Sequence, residues 1–350
     1  MSPSVRHSRL RRNKLHRALE RKVYLSGDEP ENGGQRHWSD KLMKVASFGA
    51  LEHADCALCG SPDYRLVVVQ HWFGEDFHVV RCEHCGMIRT NPRPTSAWKA
   101  NFYDPTCNGL ADTVGRAFIY APQPDRLPSY QRLLRYISRR ARPGRRLVDV
   151  GAASCVFTKM ALDAGFDAVA CDYSQEALAY GVANFNIKTL RSPAEAINTP
   201  DASFDIVTIF HTIEHLPEPM KVIRELYRIL KPGGFVFIET PNYAPHFLAQ
   251  TNFKFVWPLY KSLTKRTDGL PWVPFDHYYH WTPLHLTEAL RQAGFRQATV
   301  HHILGYRSNT KPNLLFWCAY NTFDILAQLL YWASLTRVDL RLVLLASAYK

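Results

Sequence analysis

The stretch from Arg145 to Asn242 constrains the fold most, because apolar strand-like runs alternate in it with helical segments. The first run, RRLVDVG, ends at Asp149 and Gly151, and the second, DAVACD, ends at Asp172 about twenty residues further on. The fourth run is FDIVTIF and the fifth is FVFIETPN. This alternation predicts a mostly parallel α/β sheet that binds its ligand at the carboxyl ends of the strands.

An acidic residue ends the second strand, one β-α unit after the first glycine turn. In this position a carboxylate grips a ribose diol, since it accepts two hydrogen bonds without donating any. Asp172 is therefore predicted to bind the ribose of a nucleotide-like cofactor.

These runs resemble the class I S-adenosylmethionine (SAM) dependent methyltransferases. The resemblance is carried by LVDVGAAS, ACDYS, the D-A-S-F-D block at Asp201 to Asp205, the L-K-P-G-G turn at Leu230 to Gly234, and HWTPLHLTEALRQAGF at His280 to Phe295. It covers roughly half of the chain in order and spacing. It implies a doubly wound, mostly parallel, seven-stranded Rossmann-like sheet with SAM as the methyl donor.

The same resemblance implies the cofactor site. Gly151 would let the backbone approach the methionine part, Tyr173 would pack on the adenine, and the Ala194 amide would meet the adenine ring. The full set of expected cofactor residues is Asp149, Gly151, Ala153, Asp172, Tyr173, Ala194, Phe210 and His211.

Three positions depart from the family pattern. Ala153 and Cys155 replace the second and third glycines of D-x-G-x-G-x-G, and Pro193 stands where an acid often contacts the adenine amino group. Alanine fits such a turn without strain only if its φ stays negative. These departures keep open the alternative of a degenerate scaffold that has lost the cofactor.

Methyl transfer needs an aligned acceptor and, for a hydroxyl, a base. His211, Glu214 and His215 follow the fourth strand in FHTIEHL, and we expect His215 to act as the base, oriented by Glu214. The alternative is a histidine that only fills the cofactor floor. A similar E-x-x-E-H run in quinone-precursor methyltransferases is associated with a divalent ion, but His211 replaces its first Glu, so we favour a base over a metal.

A second group of candidate catalytic residues lies in DHYYHWTP, where His277 and His280 could face the acceptor. The alternative is a hydrogen bond across to the sheet.

Four cysteines follow the formula C-x2-C-x22-C-x2-C: Cys56, Cys59, Cys82 and Cys85. A glycine follows each pair, which allows the tight turn of a zinc knuckle. The pattern predicts a closed, structural Zn²⁺ site with four thiolate ligands. Two disulfides are the alternative, disfavoured because no secretion signal is evident and thiols are then expected to stay reduced.

A four-cysteine ribbon ahead of a SAM domain resembles the zinc-ribbon methyltransferases of bacterial natural-product and surface-polysaccharide pathways. The resemblance implies a small-molecule acceptor, such as a nucleotide-linked sugar. Arg89 and Arg93 beside the ribbon would suit a diphosphate. The alternative acceptor is nucleic acid, for which the ribbon loop is not notably basic.

The net charge of +12 is concentrated at the start of the chain, where residues 1–25 hold eight Lys or Arg and one acid. We expect residues 1–45 to be a disordered basic tail, with nucleic acid or an anionic membrane surface as alternative partners. Residues 46–95 are the expected ribbon, 96–144 a helical connector and 145–350 the SAM domain. The expected location is the cytoplasm.

Two inserts are predicted in the SAM domain. Residues 243–281 are rich in aromatics and should cap the site, or else form a surface hairpin. Residues 314–336 should form an apolar helix packed on the domain or on a dimer mate, with contact to a membrane surface as the alternative. The final run, DLRLVLLASAYK, is expected as a closing antiparallel strand at the sheet edge.

Overall fold

The computed structural model describes residues 51–72, 75–97, 126–140, 144–244, 277–301 and 343–350, together with 325, 326 and 329. The N-terminal ribbon is built from β-strands only, in the part that is described. They are β1 (Leu51–Glu52), β2 (Tyr64–Trp72), β3 (Glu75–Cys82), β4 (Ile88–Thr90) and β5 (Arg93–Pro94). Strands β2, β3 and β4 form an antiparallel sheet, and β1 pairs separately with β5.

The remaining elements alternate as the sequence predicts. They are α1 (Leu127–Arg140), β6 (Arg146–Val150), α2 (Val156–Asp163), β7 (Asp167–Asp172), α3 (Gln175–Phe185), β8 (Lys188–Arg191), β9 (Phe204–Phe210), α4 (Pro219–Ile229), β10 (Leu230–Pro241), β11 (Tyr279–His280), α5 (Pro283–Gln292), β12 (Arg296–His301) and β13 (Val343–Tyr349). A single 3-10 turn, Ile213–His215, follows β9.

Seven of these strands form one sheet in the order β12-β13-β10-β9-β6-β7-β8. Neighbours from β8 to β10 pair in parallel, and β13 pairs antiparallel with both β10 and β12. The order runs outward from β6 in both directions. The prediction of a doubly wound, mostly parallel, seven-stranded sheet is therefore confirmed.

The position predicted for the final strand was wrong. β13 is antiparallel as expected, but it lies between β10 and β12 instead of at the sheet edge. Five consecutive residues of β13 are buried, whereas the edge strand β12 has exposed and half-buried residues only. Because an inner strand is covered on both faces, the unbroken apolar run of β13 is itself the signature of an inner position.

Local signals fix the helix starts near the site. Ser174 caps α3 by accepting a hydrogen bond from the Ala177 amide, and Thr282 caps α5 by accepting one from the His285 amide. Pro219 and Pro283 occupy the first turn of α4 and α5, where no amide hydrogen is needed. These helices leave the carboxyl ends of the strands free for a site.

The core lies on both faces of the sheet. On β6, Val148 and Val150 pack into the cluster that includes α4 and α5, while Leu147 packs on the opposite side with Phe157 of α2 and Leu133 of α1. Full burial of one such side chain stabilises the fold by about 1.5–3 kcal/mol. The sheet is thus held rigid from both sides, which fixes the loops at its carboxyl edge.

A strand from the second half of the chain completes the ribbon sheet. β11 pairs antiparallel with β4, with Tyr279 opposite Arg89 and His280 opposite Ile88. The ribbon sheet thereby has the order β11-β4-β3-β2, although β11 is almost 190 residues from β4 in the chain.

Several predicted segments lie outside the described residues: the tail at 1–45, most of the cap at 243–281, and the helix at 314–336 except for three positions. Those three, Ile325, Leu326 and Leu329, are helical and exposed. Within the ranges given above, no helix combines the length and the apolar character needed to cross a membrane.

Candidate functional site

The turn after β6 keeps a glycine-type backbone without the glycines. The φ angles are 71° at Gly151, 44° at Ala153 and 58° at Cys155. A left-handed conformation costs a non-glycine residue about 1–2 kcal/mol. The sequence condition for an unstrained turn, a negative φ at Ala153, is not met, but the path of the turn is the one that glycines would take.

Gly151 also packs closely on the neighbouring turn. A Cβ atom at Gly151 would fall 2.3 Å from Oγ1 of Thr212, which follows β9. The turns after β6 and β9 therefore contact each other directly, and only glycine leaves room for that contact.

Asp172 at the end of β7 holds the same turn. Its Oδ2 accepts a hydrogen bond from the Ala153 amide at 2.9 Å, and its Oδ1 accepts one from the Ser174 amide at 2.8 Å. Burial raises the pKa of Asp172, and the backbone amides oppose this shift. A carboxylate accepts about four hydrogen bonds, so the backbone amides do not use up the acceptor capacity of Asp172.

The other expected cofactor residues separate into two groups. Tyr173 is 55% exposed next to Asp172, and the Ala194 side chain is 9% exposed in the loop after β8. Phe210 is packed edge-on against Phe157, with ring centroids 4.7 Å apart. Tyr173 and Ala194 thus lie at or near the surface beyond the carboxyl ends of the strands, whereas Phe210 belongs to the core.

Asp149 is a buried support. Its two oxygens accept hydrogen bonds from the hydroxyls of Thr158 at 3.0 Å and Thr208 at 2.9 Å, which tie β6 to α2 and β9. Burial raises the pKa of Asp149 to about 7, and the two threonines oppose the shift.

The residues present fit a SAM molecule. The chemistry of the set supports this: a carboxylate with spare acceptors, a glycine turn beside it and an exposed tyrosine ring, all at the carboxyl edge of β6 and β7.

His211 lies between two buried carboxylates. Its Nε2 is 2.6 Å from Oε1 of Glu239, and its Nδ1 is 3.6 Å from Oε1 of Glu214. Its amide donates to the Glu239 carbonyl at 2.8 Å, and its φ is 47°. Burial lowers the pKa of His211, but the two carboxylates outweigh it and raise the pKa above its usual value. The two carboxylates therefore favour the positively charged form of the ring.

Glu214 has imidazole rings on several sides. Its Oε2 accepts a hydrogen bond from the Thr240 hydroxyl at 2.9 Å, and its Oε1 is 3.9 Å from Nε2 of His215. Burial alone would raise the pKa of Glu214, but the rings of His211, His215 and His277 lower it to about 2. Glu214 is therefore ionised at neutral pH.

His215 and His277 face each other. Their rings meet edge to face with centroids 4.5 Å apart, and Nδ1 of His277 is 2.6 Å from the Tyr243 hydroxyl. One ligand atom each of Glu214, His215 and His277 lie within 4.8 Å of one another, close enough to ligate one metal ion. The structure thus brings together His215 and His277, two separate catalytic candidates of the sequence analysis, from distant segments of the chain.

His280 and the two arginines lie apart from this group. His280 is fully buried in β11 and has its Nε2 3.3 Å from the Thr90 hydroxyl. Arg89 and Arg93 are 1% and 8% exposed. Arg93 donates to Glu52, to the Pro217 carbonyl and to the Tyr279 hydroxyl. The suggestion that these arginines bind a diphosphate is wrong, because their side chains are buried inside the protein.

The four ribbon cysteines converge. The Sγ atoms of Cys56 and Cys85 are 3.5 Å apart, and those of Cys59 and Cys82 are 3.6 Å apart. Sulfurs about 2.3 Å from a tetrahedral ion lie about 3.8 Å apart. The cysteines carry no disulfide, and all four sulfurs lie within 4.8 Å of one another. The donor set therefore fits Zn²⁺.

Sequence reasoning missed Glu239, Thr240 and Tyr243 as parts of the site. All three lie in or directly after the carboxyl end of β10, beside β9. The signal was available: a glutamate in an otherwise apolar inner strand, in FVFIETPN, has a buried side chain and so needs a partner.

Known proteins with similar sequences and folds include several methyltransferases. A ubiquinone biosynthesis O-methyltransferase of Bordetella avium is 32% identical over 108 residues, which are 29% of this chain and 45% of the relative. The chain thus spans about half the length of this curated relative. A ubiquinone biosynthesis O-methyltransferase of Burkholderia pseudomallei is 26% identical over 195 residues, which are 50% of this chain and 78% of the relative. The crystal structure of a SAM dependent methyltransferase from Archaeoglobus fulgidus is similar with a TM-score of 0.43 and 19% sequence identity. The match covers 68% of this chain and 99% of that one.

The family model described as a methyltransferase domain matches residues 123–300, just over half of the chain. Those residues include the glycine turn, Asp172 and the Glu214–His215–His277 cluster. The chain belongs to the methyltransferase domain family, and its sheet is that of the class I SAM-dependent enzymes.

Proposed function

We propose that this protein transfers the methyl group of SAM to a hydroxyl of a small-molecule acceptor, with His215 as the general base. The observation that carries the proposal is the Glu214–His215–His277 cluster, whose reactive atoms lie within 4.8 Å of one another. The cluster follows β9, and the cofactor turn that contacts the same loop follows the adjacent strand β6.

On the cofactor side, Asp172 would accept the ribose hydroxyls through its spare lone pairs, and Tyr173 would cover the adenine. Bound SAM supplies an already activated methyl group. The protein then has to align the acceptor and remove its proton. The strained turn at Ala153 and Cys155 keeps the glycine path, which argues against a degenerate scaffold.

On the acceptor side, His215 would take the hydroxyl proton, and ionised Glu214 would stabilise the resulting imidazolium. His277, held by Tyr243, would contact the acceptor from the other side. His211 makes a divalent ion at Glu214 less favourable, because its Nδ1 lies 3.6 Å from Oε1 and the two neighbouring carboxylates favour the positively charged form of its ring. A base therefore fits the cluster better than a metal.

The names of the curated relatives support an acceptor with a ring hydroxyl, as in a quinone precursor. A nucleotide-linked sugar is the second acceptor class, but burial of Arg89 and Arg93 removes the diphosphate contacts that favoured it. A nucleic-acid acceptor would depend on residues 1–45.

The test is calorimetric titration with SAM and S-adenosylhomocysteine, followed by turnover assays with 3,4-dihydroxybenzoate and UDP-glucose. Asp172→Asn should weaken binding at least about 10-fold, since one acceptor is replaced by a donor. Asp167→Asn, at the exposed start of the same strand, is the matched control and should bind like the wild type. Micromolar binding that survives Asp172→Asn, or no binding by the wild type, would refute the cofactor site.

We also propose that Cys56, Cys59, Cys82 and Cys85 hold one structural Zn²⁺. Metal analysis should find one zinc per chain, and Cys82→Ser should lose it and lower the melting temperature. Cys171→Ser, a buried cysteine of β7, is the control that should keep the metal. Full zinc content in Cys82→Ser would contradict the assignment.

A further inference from the structure

We propose that Thr90 and Arg93 of the ribbon are positioning residues for the methyl-transfer site, holding in place the two segments that carry His215 and His277. The inference rests on the proposed function for its catalytic meaning. It gives the ribbon a role beyond binding its own metal.

Thr90 holds the segment that carries His277. Its hydroxyl donates to the His277 carbonyl at 2.8 Å, and its amide donates to the Tyr278 carbonyl at 3.0 Å. The same hydroxyl is 3.3 Å from Nε2 of His280. Thr90 is 2% exposed, so water cannot replace these bonds. The backbone of His277 is thus fixed by a residue almost 190 positions earlier in the chain.

Arg93 holds the other segment. Its Nη1 donates to the Pro217 carbonyl at 2.8 Å and to the Tyr279 hydroxyl at 3.0 Å, while its Nε donates to Glu52 at 2.9 Å. The Tyr279 hydroxyl donates in turn to the Pro217 carbonyl at 3.2 Å. One guanidinium therefore links the ribbon, the loop that follows His215, and β11.

The two segments also meet directly, and the ribbon braces that meeting. The Tyr278 amide donates to the Glu214 carbonyl at 2.8 Å. The Tyr278 hydroxyl donates to the Pro94 carbonyl at 2.8 Å, and the Arg93 guanidinium lies 5.3 Å from the Tyr278 ring centre. Tyr278 therefore connects the segment of His277 to that of Glu214 and His215, and the ribbon residues Arg93 and Pro94 hold Tyr278 in place.

The ribbon residues act through backbone groups, so the expected effect falls on alignment. Displacement of a reacting group by about 1 Å costs on the order of 100-fold in rate. Asp172 and the turn after β6 are held by other strands, so SAM affinity should not change. A loss of kcat at constant SAM affinity is the signature that separates positioning from general destabilisation.

The experiment uses full-length, zinc-loaded protein with Thr90→Val, which keeps the shape and removes the hydroxyl, and Thr90→Ser, which restores it. Thr299→Val, on the exposed edge strand β12, is the matched control. Three quantities are measured: the SAM dissociation constant, kcat with the 3,4-dihydroxybenzoate probe, and hydrogen–deuterium exchange of amides 213–216 and 277–280.

We expect Thr90→Val to speed exchange in both segments about 10-fold and to lower kcat about 10- to 100-fold. SAM affinity should stay within about 2-fold of the wild type, and Thr90→Ser should recover most of each loss. Unchanged exchange in Thr90→Val, or a parallel loss of SAM binding, would overturn the proposal. If the wild type is inactive with the probe, the proposed acceptor class fails, and the exchange data still decide whether Thr90 holds these segments.

Discussion

Replacement of Glu214 by glutamine tests whether the candidate site is held together by charge. Glu214 is fully buried and ionised, next to the rings of His211, His215 and His277. Glutamine has nearly the same shape and can still accept the Thr240 hydrogen bond. The substitution therefore removes the negative charge and little else, and it leaves His211 with Glu239 as its remaining carboxylate partner.

The magnitude follows from the pKa. The pKa of Glu214 is lowered from 4.5 to about 2 by the surrounding imidazoles, in spite of burial. Since the folded pKa lies below the unfolded one, ionised Glu214 stabilises the fold above about pH 4.5, and this contribution is lost as the pH falls towards about 2. The contribution of ionised Glu214 corresponds to about 3 kcal/mol at neutral pH and to about half of that at pH 3.

The assay is urea unfolding of the wild type and of Glu214→Gln at several pH values, with tryptophan fluorescence as the readout of unfolding. The matched control is Glu288→Gln on α5. The pKa of Glu288 is also lowered to about 2, through hydrogen bonds from Arg291 and Gln292, but the pair is exposed. Solvent screening should keep its effect within about 0.5 kcal/mol. The reasoning is refuted if the two variants lose equal stability at pH 7, or if the loss in Glu214→Gln does not shrink at low pH.

Two further predictions concern the neighbouring turns. Gly151→Ala should destabilise the protein by more than about 2 kcal/mol and weaken SAM binding, because strain and the clash with Thr212 add; calorimetry and melting curves check this. Gly233 has a φ of 77° and open space around it, so Gly233→Ala should show the backbone strain alone. An equal loss of stability in Gly151→Ala and Gly233→Ala would contradict the clash with Thr212. Glu239→Gln should lower the pKa of His211, because the Glu239 carboxylate raises that pKa. An NMR titration of the histidines that finds no change in the pKa of His211 would exclude the His211–Glu239 pair.

Much of the fold follows from pattern. The alternation of apolar runs and helical segments predicts the parallel strands, because parallel strands need a long crossover, which is usually a helix. The C-x2-C pairs predict the cysteine cluster for a similar reason, since the spacing within each pair closes a local turn. The order of β12 and β13 was missed because strand order is set by packing between distant residues.

The candidate site divides in the same way. Asp172, Glu214 and His215 could be found from the sequence, since each lies at the end of a recognisable strand or in the turn that follows one. The pairing of His211 with Glu239 could not, because it depends on β9 and β10 lying side by side with their ends in register. The burial of His280, Arg89 and Arg93 could not be predicted either, because burial depends on packing between distant segments and a buried side chain looks like an exposed one in the sequence.

The sequence by itself determined the strand pattern, the metal-ligand spacing and the residues at the strand ends, because these depend on neighbours within one turn or one strand. Only the tertiary structure decided that the ribbon shares a sheet with β11, and that Thr90 and Arg93 hold the segments of His215 and His277. Hydrogen bonds between residues more than a hundred positions apart depend on how the chain closes in space. Local patterns carry no record of that closure.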